Sequence, residues 1–315
     1  MTQPASPVSL YQPQRISRTE TVRIRHLDYC VRIWGQPNPH IPPLVMVHGW
    51  MDVAASYQFV VDAFAQDRWV IAPDWRGYGG SMGDTPHADN YWFPDYLADL
   101  DFLLDHYSPD QSVDLVGHSM GGNVVMLYAG VRPARIRRLV NLEGFGMPAT
   151  RPSQAPGRYA KWMDELKAFH KAPGGGDLAL RAYPDAAGVA RRLMKTNPRL
   201  SADKAHWLAP HWATQNAQGE WAILGNPAHK ITNAQLYRVE EVLEIYQRIT
   251  APTLAVEATD DSLTRWWQGK YTLAEYHERL KVVPDLRIAV VQDAAHMLHH
   301  DQPQVLAKLI EDFLA

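Results

Sequence analysis

Short apolar runs separated by amphipathic stretches organise this chain. Thr21-Val22-Arg23-Ile24-Arg25 and Tyr29-Cys30-Val31-Arg32-Ile33-Trp34 alternate with period two. They predict two strands joined by a hairpin turn at His26-Leu27-Asp28. Leu44-Val45-Met46-Val47 is apolar throughout, as a parallel strand buried on both faces would be. Trp69-Val70-Ile71-Ala72, Val113-Asp114-Leu115-Val116, Arg138-Leu139-Val140-Asn141-Leu142, Thr253-Leu254-Ala255-Val256 and Leu286-Arg287-Ile288-Ala289-Val290-Val291 predict the remaining strands. Helices are predicted over 54–66, 91–107, 236–248 and 263–280, and one more follows Ser119. In 91–107 the apolar positions Tyr96, Leu97, Leu100, Leu103, Leu104 and Tyr107 fall on one face. A final helix over 302–314, with Asp301 as its N-cap, carries Val305, Leu306, Leu309, Ile310 and Phe313 on one side. Strands alternating with helices specify an α/β fold, a mostly parallel sheet covered on both faces.

The alternation breaks once. After Gly144-Phe145-Gly146, residues 147–157 are rich in Pro, Ser and Gly, and 158–235 predict short helices with loops. This divides the chain into an arm over 1–18, a core over 19–146 and 236–315, and a helical insertion over 147–235. The insertion carries Trp162, Trp207, Trp212 and Trp221. Trp162, Trp207 and Trp212, with Trp266 and Trp267 beyond it, are candidates for an apolar pocket. An insertion must also bury something against its core, which is the competing role for the same side chains.

The candidate chemistry centres on Gly117-His118-Ser119-Met120-Gly121, set between an apolar strand and the helical run from Asn123. A strand turning sharply into a helix with Ser at the apex is a nucleophile elbow. The turn brings backbone so close that side chains two positions before and after the serine would clash, so Gly stands at both. Serine is a poor nucleophile at neutral pH and needs a base. His296, in the loop after the last strand, is the preferred base; His299 and His300 are its near neighbours. Asp261, just beyond the strand that follows the insertion, is the preferred acid to orient that base, and Glu143, one residue past its own strand, is the alternative. The backbone N–H groups of Trp50 and Met120 are placed to form an oxyanion hole. His48 and Asp74-Trp75-Arg76-Gly77 are expected to brace the loops.

These motifs, with the run to Ser81, resemble the α/β-hydrolase superfamily over roughly residues 20–145 and 236–315. The insertion details, Gly144-Phe145-Gly146 and Asn226-Pro227-Ala228-His229-Lys230, are similar to those of the serine hydrolase-like proteins. The resemblance implies an eight-stranded, mostly parallel sheet with an inserted helical cap. Haloalkane dehalogenases and epoxide hydrolases of the superfamily place Asp at the elbow, so Ser119 implies an acyl-enzyme instead. The expected function is hydrolysis of carboxylic esters with small or medium apolar acyl groups. A related acyl-transfer or C–C bond hydrolase, and a hydrolase-fold receptor that binds a small molecule without turnover, are the alternatives.

Composition narrows the partners. A net charge of -3 on 315 residues offers no electrostatic footprint for nucleic acid or an anionic membrane. The single cysteine, Cys30, excludes an internal disulfide and a cysteine metal cluster. No metal or cofactor is expected: His206 and His211 lack a carboxylate at metal spacing, and Gly174-Gly175-Gly176 lacks the strand and Lys of a phosphate loop. With a polar N-terminus and no run of about 18 apolar residues, a soluble cytoplasmic protein acting on a small molecule is expected.

Overall fold

A computed structural model describes residues 10–82 and 88–315. Its core elements are β1 (Ser17–Ile24), β2 (Leu27–Trp34), β3 (Leu44–Val47), α1 (Gln58–Ala63), β4 (Val70–Pro73), α2 (Phe93–Tyr107), β5 (Val113–His118), α3 (Met120–Val131) and β6 (Ile136–Leu142). The insertion contributes α4 (Ala155–Lys171), β7 (Ala182–Tyr183), α5 (Ala186–Thr196), α6 (Ala202–Trp212), β8 (Ala213–Gln215) and β9 (Trp221–Ile223). The core resumes with α7 (Val239–Tyr246), β10 (Thr253–Ala258), α8 (Ser262–Trp267), α9 (Leu273–Leu280), β11 (Leu286–Val291), α10 (Leu298–Asp301) and α11 (Pro303–Leu314).

Eight strands form one sheet in the order β1-β2-β4-β3-β5-β6-β10-β11. The pairs β1/β2 and β2/β4 are antiparallel, and β4, β3, β5, β6, β10 and β11 run parallel to one another. Two apolar layers cover it. Residues such as Val45, Leu115, Val124 and Tyr128 pack on the face of α2, α3 and α7. Met46, Val116, Val140, Leu306 and Ile310 pack on the face of α1 and α11. The central strands β3, β4 and β5 are buried at every position, which accounts for the apolar runs of β3 and β4; in β5 the buried Asp114 interrupts the run and is paired with Arg137.

Several expected boundaries shift for physical reasons. The hairpin turn is Arg25-His26 rather than His26-Leu27-Asp28, because Ile24 pairs with Leu27 and Arg25 takes a positive φ of 54°. The helix expected over 263–280 is two helices, parted at Gln268 and Gly269, which have φ of 51° and 75°. Asp301 does not cap the last helix. Gln302 stands at that position, and the Asp301 carboxylate accepts from Ala295 N and Asn197 Nδ2. Of the expected arm, residues 1–9 lie outside the described residues. From residue 10 onward it is held to α1: the Asp62 carboxylate accepts from Tyr11 Oη at 2.6 Å, Gln14 N at 3.0 Å and Arg15 N at 2.7 Å.

The insertion is mostly helical but adds a small antiparallel sheet in the order β7-β9-β8. It docks on the loops at the carboxyl ends of the core strands. After β4, Gly79 N donates to Leu224 O (3.0 Å) and Gly77 O accepts from Asn226 N (2.9 Å). After β10 and β11, Arg199 pairs with Asp260 at 2.9 Å and Asn197 donates to Asp301 at 2.8 Å. Among the described residues no helix is long and apolar enough to cross a membrane.

Candidate active site

The elbow is built from steric necessity. Ser119 sits between β5 and α3 with φ 53° and ψ −114°, a conformation that costs a non-glycine residue about 1–3 kcal/mol. A Cβ on Gly117 would lie 2.3 Å from Gly121 O, and one on Gly121 would lie 2.3 Å from Val47 O. Both obstacles are backbone and cannot swing away. Gly121→Ala is therefore expected to destabilise the fold by at least about 3 kcal/mol; a urea midpoint unchanged from the wild type would show that the elbow tolerates the methyl group.

Ser119 Oγ and His296 Nε2 are 2.9 Å apart. On the other side of the ring, His296 Nδ1 lies 3.1 Å from Glu143 Oε2. Glu143 is buried and itself has a positive φ of 55°. Its N–H donates to Val256 O at 3.0 Å, and its Oε1 accepts from Ala258 N at 2.7 Å, so β10 holds this carboxylate at both ends.

The expected contact between Asp261 and His296 is not formed. Asp261 is exposed and caps α8, accepting from Thr264 N at 2.8 Å. Its neighbour Asp260 pairs with Arg199. Glu143 wins the position because a glutamate has one methylene more than an aspartate and starts from a left-handed turn, so a residue immediately past β6 reaches the ring.

Gly49 brings the loop after β3 against the nucleophile: a Cβ there would lie 3.0 Å from Ser119 Cβ. Trp50 follows, 50% exposed, and Met120, directly after Ser119, opens α3. His48 and the turn after β4 brace this loop. Trp75 N donates to His48 Nε2, and Trp75 Nε1 donates to His48 O, each at 2.9 Å. Asp74 accepts from Ala54 N at 2.7 Å and Gly80 N at 2.8 Å. Arg76 pairs with the buried Asp99 through two bonds of 2.6 and 2.7 Å.

The five candidate tryptophans separate. The ring of Trp266 meets the His296 ring edge-on at 4.3 Å, yet Trp266 remains 47% exposed. Trp207 and Trp212 instead pack with Phe59, Leu208 and Val189 in the cluster that fastens the insertion to the core. Trp162 packs near Trp92 at 5.9 Å, and Trp267 lies against the main core. The competing packing role thus takes Trp207, Trp212 and Trp267.

Two further groups shape the electrostatics. Glu257 on β10 is buried and bonded to His277 Nε2 at 2.7 Å. Burial pushes its carboxyl up; the His277 bond opposes that rise, and the Glu143 charge adds to it. Beneath the elbow, His299 and His300 are fully buried rather than loop rivals to His296. Burial and the neighbouring His296 push His299 down to about 3, so it is neutral at ordinary pH. Sequence reasoning missed the Glu257–His277 pair and the burial of His299, since neither lies in a motif.

With this geometry in place, comparison with known proteins decides the family. The profile of the alpha/beta hydrolase fold matches residues 42–303. The chain belongs to the α/β-hydrolase fold family. Within it, a serine hydrolase-like protein of Danio rerio is 23% identical over 286 residues, covering 90% of this chain and 84% of that protein. An sn-1-specific diacylglycerol lipase of Xenopus tropicalis is 30% identical over 302 residues, covering 94% of this chain and 84% of the relative. Among solved structures, a thioesterase domain from the curacin biosynthetic pathway superposes with a TM-score of 0.79 at 24% identity, covering 94% of this chain and 99% of the domain. The last likeness concerns the α/β-hydrolase fold alone.

Proposed function

We propose that this protein is a serine hydrolase that cleaves carboxylic esters of small or medium apolar acyl groups through an acyl-enzyme. The observation that carries this reading is the hydrogen-bonded chain Ser119 Oγ–His296 Nε2, 2.9 Å, and His296 Nδ1–Glu143 Oε2, 3.1 Å. Ser119 attacks the ester carbonyl carbon as His296 takes its proton. The backbone N–H groups of Trp50 and Met120 receive the oxyanion, each worth about 3 kcal/mol. Collapse expels the alcohol, protonated by His296. A water deprotonated by the same ring then releases the acid. Glu143 fixes the imidazole tautomer and stabilises the imidazolium.

The insertion acts as the cap over this site, and the exposed face of Trp266 supplies apolar surface beside the base. The relatives named as a lipase and as serine hydrolase-like agree with ester chemistry without selecting a substrate. The test is covalent labelling with a fluorophosphonate, followed by a panel of esters, thioesters and amides. One adduct per chain on Ser119 and turnover of short acyl esters are expected. Folded protein that takes no label would instead favour a binding protein without turnover.

A further inference from the structure

Directly beneath the elbow, three side chains from separate parts of the fold converge in the core: Asp52 from the loop after β3, His118 from the end of β5 and His299 from α10. Each is at most 4% exposed, and one ligand atom of each lies within 4.8 Å of the other two. Their polar atoms are poorly satisfied. Asp52 Oδ2, His118 Nδ1 and both nitrogens of His299 are buried without a hydrogen-bond partner. His299 Nε2 lies 3.7 Å from Asp52 Oδ2, too long for a hydrogen bond. Asp52 Oδ1, in contrast, is occupied by Val53 N at 2.8 Å and by the Ser56 hydroxyl.

The tautomer of His118 follows from its other nitrogen. His118 Nε2 lies 2.7 Å from the main-chain carbonyl oxygen of His296, which can only accept. The proton is therefore on Nε2, and Nδ1 presents a lone pair. The cluster thus gathers a carboxylate oxygen and an imidazole lone pair, with the His299 ring, neither nitrogen of which is paired, beside them. Polar atoms left unpaired in a dry core are costly, at about 1–3 kcal/mol each.

We propose that Asp52, His118 and His299 form a buried binding site for a divalent transition-metal ion of the zinc class. Two neutral imidazoles and one carboxylate are a donor set that such ions take, with bonds of about 2.0–2.2 Å. Ligands in a tetrahedral site then stand about 3.3–3.6 Å apart, so the three side chains, now within 4.8 Å of one another, would draw together on binding. The second bond of His118 fits the same picture, since a metal-bound histidine ordinarily donates its other ring N–H to a carbonyl or carboxylate. Here that carbonyl belongs to His296, and His118 itself precedes Ser119. An ion at this place would tie both residues to one fixed point.

The test uses the full chain without a polyhistidine tag, stripped with a chelator and titrated with zinc against a chromogenic competitor. Asp52→Asn and His299→Gln serve as variants, with cobalt absorption and melting temperature as readouts independent of activity. One zinc per chain at micromolar or tighter dissociation constant is expected. Each variant should weaken it at least about a hundredfold and abolish the zinc-dependent rise in melting temperature. Wild type that binds no zinc, with a water filling the space, would overturn the proposal, as would binding left unchanged in the variants. Anomalous diffraction at the zinc edge on wild-type crystals needs no variant to fold: a peak between the three side chains supports the site, and no peak there refutes it.

Discussion

Ser119→Ala is expected to keep the fold and lower turnover of a short acyl ester by more than about a thousandfold. The side-chain oxygen is the only atom removed. The Cβ and the positive φ of 53° remain, so the backbone strain of the elbow is the same in both proteins. The lost hydrogen bond is the one to His296 Nε2 at 2.9 Å, between two partly exposed residues rather than in the dry core. Melting temperature should therefore stay close to that of the wild type. The measurement is kcat and kcat/KM on the best ester found, with fluorophosphonate labelling alongside. Activity within tenfold of wild type in a folded, unlabelled variant would require another nucleophile. Ser119→Gly is a useful companion: it relieves the strain that Ala keeps, so it should be equally inactive but no less stable.

What could be read from the sequence was what the chain specifies locally. The elbow depends on contacts among Gly117, Ser119, Gly121 and the adjacent strand, so its spacing is visible in a string of five residues. Central strands buried on both faces, such as β3, advertise themselves as unbroken apolar runs. Three features depend on distant partners and were not legible. The division of α8 from α9 rests on a left-handed Gln268, a residue with no strong preference for that conformation; Gly269 beside it was the only hint. The tryptophans of the insertion look alike in sequence, and only packing distinguishes Trp207, in the cluster with Phe59, from Trp266, against His296. The acid depends on which carboxylate the end of β10 orients, and that information lies in backbone donors rather than side-chain identities. Chain order favoured Asp261, whereas the Ala258 N–H selects Glu143.

That selection leads to the second large effect, expected from Glu143→Gln. In the wild type, Glu143 Oε1 accepts from Ala258 N at 2.7 Å, and Oε2 lies 3.1 Å from His296 Nδ1. A glutamine has one oxygen and one NH2 group. The buried Ala258 N–H needs an acceptor, so the amide oxygen stays there and the NH2 group turns to His296. Nδ1 must then accept, which places the ring proton on Nε2, facing Ser119. The base is left holding a proton where it should take one. A fall in kcat of about 10⁴ is expected, as for other wrong-tautomer substitutions, with little change in fold because the amide fits the same volume. Asp261→Asn is the counterpart. Asparagine caps a helix about as well as aspartate, so the bond to Thr264 N survives and activity should remain within about twofold of wild type. Measured side by side, the two variants separate the carboxylates cleanly. If Asp261→Asn lost the activity and Glu143→Gln kept it, the ring would have to turn to Asp261 in the working enzyme, and the Glu143 contact would be a resting arrangement only.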